Sequence, residues 1–182
     1  MDKNKIYVAL LRGINVGRHN RVPMVQLRAV LIKGGLVNVK TYIQSGNVIF
    51  QSQNNNIESL EDTIQKLIED AFGFIIPVIV KTKNTLETIF NDCQFIESQK
   101  VNSYFILLSE VPKEKLVNEA NKKIYTGEVF HIRQDCIYFF SEVGYGNSKF
   151  NLNFFEKKLN VNATSRNYKT MVKLLSLCDT II

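Results

Sequence analysis

Residues 12–21, RGINVGRHNR, place three arginines, two glycines and two asparagines in one short connection with no acid among them. Glycine lets backbone N–H groups approach a ligand, and a helix that starts just beyond adds partial positive charge, so this is the pattern of an anion cradle. Its candidate contacts are Arg12, Gly13, Asn15, Gly17 and Arg18. A helix dipole at an exposed site supplies only about 0.3–1 kcal/mol, so Arg12 would have to carry much of the binding. No Gly-Lys-Ser/Thr follows at Walker spacing, and G-x-G-x-x-G is absent. The competing reading is a tight glycine turn whose Arg12 pairs with a carboxylate elsewhere.

Two further stretches carry similar chemistry. GYGNSK, residues 144–149, sets glycines before an expected helix with Asn147 or Ser148 as its N-cap, and offers Ser148 and Lys149 to an anion. TSRNYKT, residues 164–170, offers Arg166, Asn167, Lys169 and Thr170, with Lys173 one turn on. Arginine can grip phosphate or carboxylate with two hydrogen bonds, whereas lysine acts as a mobile point charge. A glycine turn with an ordinary cap and a capped basic surface helix are the structural alternatives.

Other chemistries have little support. Ser45 and Ser148 lack an evident base, and His19 and His131 sit in no nucleophile pattern. Cys93, Cys136 and Cys178 are odd in number and have no Cys-x-x-Cys spacing, which argues against a disulfide framework or a zinc site. Cys93 and Cys178 read as packing thiols in apolar helices. No metal and no cofactor is expected. Phe72, Phe74 and the aromatics at 138–140 read as core.

The composition, 45% hydrophobic and 22% charged, is that of a globular protein with a real core. No apolar run is long enough to cross a bilayer, and the N-terminus lacks the pattern of a signal peptide, so no membrane partner and a cytoplasmic location are expected. The net charge is +6, unevenly spread. Between Asp2 and Glu58 there is no acid, the middle leans acidic, and the tail from Lys149 onward is basic again. If both ends meet in space they make a positive surface; the alternative is solvated lysines balanced by the acidic middle.

The elements that would position these residues follow from periodicity. Residues 6–11 read as a buried strand, and 23–33 as a helix closed by Gly34-Gly35. Residues 36–43 and 48–51 form a hairpin about Gln44-Ser45-Gly46-Asn47, 57–71 an amphipathic helix, and 77–81 a strand. That order, β-α-β-β-α-β, is the ferredoxin-like arrangement. It brings the connection after the first strand and the hairpin after the second to one sheet edge, which adds Ser45 and Asn47 to the candidate site. Asn84-Thr85-Leu86-Glu87 looks like a capping box opening a connecting helix. The second half reads strand 104–108, helix 112–122, hairpin 129–132 with 137–140, then two helices, 148–159 and 167–177. The expected organisation is α+β: a ferredoxin-like subdomain 1–83, a connecting helix 84–100, and a subdomain 101–182 of β-α-β-β followed by helices, packed as one compact unit.

RGINVGRHNRVPM, TYIQSGNVIF, GYGNSK and ATSRNYKT together resemble an uncharacterised bacterial family, domain of unknown function 1697, over residues 7–175. The resemblance implies two ferredoxin-like α+β subdomains and no established activity. It covers Arg12, Gly13, Asn15, Gly17, Ser45, Gly46, Asn47, Ser148, Lys149, Thr164, Arg166, Asn167 and Thr170. Arg18 stands where the family pattern has a second glycine, and Glu142-Val143 where a proline often precedes the glycine-rich segment.

The leading expectation is a protein that binds an anionic, phosphate-bearing ligand, a nucleotide or a nucleic acid. The alternatives are an enzyme acting on a small phosphorylated or carboxylated substrate, held by Arg12, Lys149 and Arg166, and a non-catalytic interaction protein. The sequence leaves open whether the protein is an enzyme and what its oligomeric state is.

Overall fold

The computed structural model describes residues 4–17 and 19–181. The chain divides into two units, residues 1–88 with 173–182, and residues 89–172.

In the first unit the order is β1 (Lys5–Leu11), α1 (Met24–Lys33), β2 (Val37–Tyr42), β3 (Asn47–Ser52), α2 (Ile57–Phe72) and β4 (Val78–Thr82). The strands form an antiparallel sheet ordered β2-β3-β1-β4, which is the ferredoxin-like arrangement. β1 is a continuous apolar run rather than an alternating one because both of its faces are buried: Tyr7, Ala9 and Leu11 on one, Val8 and Leu10 on the other. In α2, helical spacing puts Leu60, Ile64 and Ile68 on one buried stripe. Each fully buried isoleucine contributes roughly 1.5–3 kcal/mol. Asn56 starts this helix by accepting from Ser59 N, and Gly73 ends it in the left-handed conformation. The stripe packs with Leu27 and Leu31 of α1 onto the Tyr7, Ala9 and Leu11 face of β1.

α3 (Lys83–Asn91) and α4 (Glu97–Lys100) lead to β5 (Tyr104–Leu108), α5 (Glu114–Ala120), β6 (Glu128–Arg133), β7 (Cys136–Ser141), α6 (Leu152–Leu159), β8 (Ala163–Asn167) and α7 (Tyr168–Asp179). The second unit's sheet is ordered β6-β7-β5-β8, the same pattern as the first. The second half therefore completes β-α-β-β-α-β with β8, where the sequence reading ran from one helix straight into the next. ATSRN carries no apolar alternation to announce a strand. Its backbone is recruited by pairing with β5 in the register Phe105↔Arg166 and Leu107↔Thr164. One face of this sheet carries an aromatic-rich core of Phe139, Phe150 and Phe155.

The two units repeat each other in detail. Leu11 N donates to Gly46 O and Leu108 N to Asp135 O, and Arg12 N donates to Pro77 O as Ser109 N does to Asn162 O. Lys81 lies opposite Val8 as Arg166 lies opposite Phe105, and both cations are buried. The next residue in each strand caps the helix that follows: Thr82 Oγ1 accepts from Thr85 N, and Asn167 Oδ1 accepts from Thr170 N. The cap of α3 is thus Thr82, not the expected Asn84. The connections differ in length: β1 and α1 are joined by residues 12–23 whereas β5 and α5 are joined only by residues 109–113, and the second unit in turn has the longer β7–α6 connection, 142–151 against 53–56.

Two local readings need correction. GYGNSK does not open a helix; residues Tyr145–Asn147 make a single 3-10 turn, and α6 starts at Leu152 with Asn151 as its cap. Cys93 follows α3 instead of lying within a helix, although all three cysteines are buried.

Candidate functional site

The long β1–α1 connection is braced chiefly by the side-chain amide of Asn15. Asn15, at φ 54°, donates from Nδ2 to Val22 O at 3.0 Å and to Gln44 O at 2.8 Å, while its Oδ1 accepts from Val22 N at 2.9 Å. The neighbourhood of loop and hairpin expected from strand order is therefore real. Asn20 adds a bond from Nδ2 to Gly13 O at 3.1 Å. Beneath them Ile14 is buried, and Gly46 sits so close that a Cβ there would come within 2.6 Å of Leu11 Cβ and 2.9 Å of Ile14 Cδ1. Gly46 also has φ +79°, so the hairpin tip tolerates only glycine for two independent reasons.

These bonds sort the candidate residues. Asn15 spends its whole amide on the loop, and buried Asn47 donates to Tyr42 O and to Ser45 Oγ, so both are braces of the site. Gly13, Gly17 and Ser45 are exposed, and Arg12 is half-buried. Arg18 lies outside the described residues. The connection delivers the chain to α1, whose N-cap Pro23 has no side chain to bond the free amides and whose first turn holds no acid. A helix start of this kind favours negative charge.

Several candidates in the second unit are committed to bonds within the fold. Arg166 is only 6% exposed; its Nη1 donates to Thr164 Oγ1 and to Ser165 O, both at 2.8 Å, and burial pulls its pKa down to about 10. This guanidinium is part of the interior and does not present a fork to solvent. Asn167 and Thr170 serve the α7 cap. Ser148 Oγ donates to Tyr145 O, and the Lys149 amide donates to Glu128 Oε1 at 2.6 Å. The amides that GYGNSK was expected to offer are thus partly spent. The segment has a packing purpose as well, because Tyr145 lies 4.6 Å from the ring of Tyr104 and 6.2 Å from that of Phe150. Tyr168 likewise packs, 5.4 Å from Phe90.

What the second unit does bring together is a cleft of about 480 Å³, lined among others by Tyr104, Ser141, Glu142, Gly144, Asn167 and Lys169. It collects the start of β5, the end of β7 and the end of β8. In the frame of the repeated fold this is the opposite rim of the sheet from the one that the β1–α1 loop occupies. Sequence reasoning found Asn167 and Lys169 but missed Tyr104, Ser141 and Glu142. The signal was available, since the argument that placed QSGN beside the first loop also joins these strand ends, once β8 is known to be a strand. Among the described residues no group of three or more His, Cys, Asp or Glu side chains could hold a metal ion, and no helix is long and apolar enough to cross a membrane.

A chain of two β-α-β-β-α-β units defines an α+β class, and a fold of this kind does not by itself fix a function. Residues 5–138 match the family described as protein of unknown function (DUF1697), and the chain belongs to that family. Among solved structures it is similar to the conserved bacterial protein SP0830 from Streptococcus pneumoniae, at 25% identity and a TM-score of 0.79 over 97% of this chain and 99% of that one. No curated protein matches the chain.

Proposed function

We propose that the protein binds an anionic, phosphate-bearing ligand, a nucleotide or nucleic acid, at the basic glycine-rich rim of its first unit. The observation that carries this reading is the long, acid-free β1–α1 connection of the first unit. Residues 12–23 extend the connection that residues 109–113 make in the second unit, and the extension is basic, fixed in shape by Asn15, and followed by a helix start without acid or side-chain cap. Ile14 and Val22 tie the segment to the core, while Gly13, Gly17, His19 and Arg21 stay exposed to meet a ligand. The enzyme reading is weaker because it calls on Arg166, whose guanidinium is enclosed and bonded within β8.

The test is a thermal-shift screen of the full chain against nucleotides, phosphorylated metabolites and short oligonucleotides, repeated on Arg12→Ala. The expected result is a ligand-induced rise in Tm that the variant loses. A ligand at one hundred times its Kd raises stability by about 2.7 kcal/mol, a shift that is easily read. The absence of any shift across the panel, or a shift that Arg12→Ala retains in full, overturns the reading and favours an interaction protein.

A further inference from the structure

We infer that the cleft of the second unit is a binding site for a small zwitterion, a free α-amino acid or a dipeptide. This site is separate from the basic rim proposed above and does not rest on it. The cleft carries both an ammonium group and a carboxylate, Lys169 and Glu142. Among the described residues neither side chain is engaged in an ion pair, with the other or with any neighbour. Both are exposed. Opposite charges that share a cleft without closing on each other match a guest whose own two charges are separated. A purely anionic guest would meet Glu142, and a purely cationic one Lys169.

Three further observations point to a ligand. Ser141, 5% exposed, lies in the wall of the cleft with its Oγ enclosed and without a hydrogen-bond partner, which is unusual in a folded interior. Asn167 commits its Oδ1 to the α7 cap, which leaves its amide N–H groups for a carboxylate beside Lys169. Tyr104 and Phe140 supply apolar wall for a side chain. The volume of about 480 Å³ falls in the range of small-molecule sites and admits either member of the class.

Isothermal titration calorimetry of the full chain with the free L-amino acids and a panel of dipeptides tests this assignment. The same compounds, N-acetylated or as methyl esters, form the control arm. At least one free compound is expected to bind, with each blocked form weakened tenfold or more. Lys169→Ala and Glu142→Gln should each cause a loss of similar size, and both replace exposed side chains, so the fold should persist by circular dichroism. Arg12→Ala should leave this binding unchanged, which separates it from the basic rim. A preference between single amino acids and dipeptides fixes the length of the guest. No binding at millimolar concentration, or binding indifferent to the blocking groups and to both cleft variants, overturns the inference.

Discussion

The tip of the first hairpin and the helix above the sheet show how single residues set the geometry of the first unit. At Gly46 the left-handed backbone and the 2.6 Å approach to Leu11 Cβ act together, and Ile14 of the candidate loop shares the same crowded space. Gly46→Ala should therefore destabilise the protein by on the order of 2–4 kcal/mol, combining left-handed strain with overpacking. Urea unfolding followed by circular dichroism reads this; a loss below about 0.5 kcal/mol, the scatter of ordinary surface substitutions, would show that the tip relaxes freely. Glu61 presents a different case. Its Oε1 accepts from Val80 N at 2.7 Å, and burial raises its pKa above the ordinary carboxylate value. A carboxyl that holds its proton more tightly when folded contributes stability below its unfolded pKa and loses it as pH rises through the raised folded value. Glu61→Gln keeps an acceptor for Val80 and removes the charge. Its stability should be less sensitive to pH between about 4 and 8 than that of the parent, with no loss at neutral pH. Urea midpoints across that range check this, and an unchanged pH dependence would count against the account.

Among the elements, those announced by apolar periodicity were legible: β1, α2 and the two hairpins stand within a residue or two of where their patterns place them. β8 and the start of α6 were not. ATSRN is polar and lies at one edge of its sheet, so its strand character comes from β5 and not from its own composition. The start of α6 was misplaced because Asn147, Ser148 and Asn151 are all good caps by type, and choosing among them takes the packing of Tyr145 into the core. This yields a direct comparison. Asn151→Ala should cost about 1 kcal/mol, the usual value of a lost N-cap. Asn147→Ala should cost a few tenths at most, because Asn147 is exposed and bonds only within its own turn at 3.3 Å. Denaturation midpoints rank the two, and the reverse order would move the cap back to the glycine segment. The candidate loop was legible for a different reason: its position follows from strand order alone, so no side-chain contact had to be foreseen. The cleft was invisible for the same reason that β8 was.

On the scale of the whole molecule, a net charge of +6 is modest, but no acid falls between Asp2 and Glu58, and the first unit's loop and α1 belong to that stretch. A nucleic-acid ligand at that rim would release counterions, so log Kd should rise linearly with log salt, at about 0.7 to 0.9 per phosphate neutralised. Fluorescence anisotropy with a labelled oligonucleotide between about 50 and 200 mM salt measures the slope. Affinity that does not fall over that interval would remove the nucleic-acid form of the proposal and leave the nucleotide form. Arg12 is half-buried and Arg21 exposed in their connection, whereas the removal of Arg166 to the interior was not legible from the sequence. A cation in a short polar run looks the same in the sequence whether the strand turns it outward or in.

The amide of Asn15 has one more consequence. Because it pins the connection to Gln44 and Val22 when the chain folds, a visiting molecule would find a receptor already shaped, with little disorder left to surrender on docking. Calorimetry of a true ligand should then show a small entropic penalty in the parent. In Asn15→Ala that penalty should grow while the bonds to the guest stay the same, so the residue that never touches the visitor would still set how tightly it is kept.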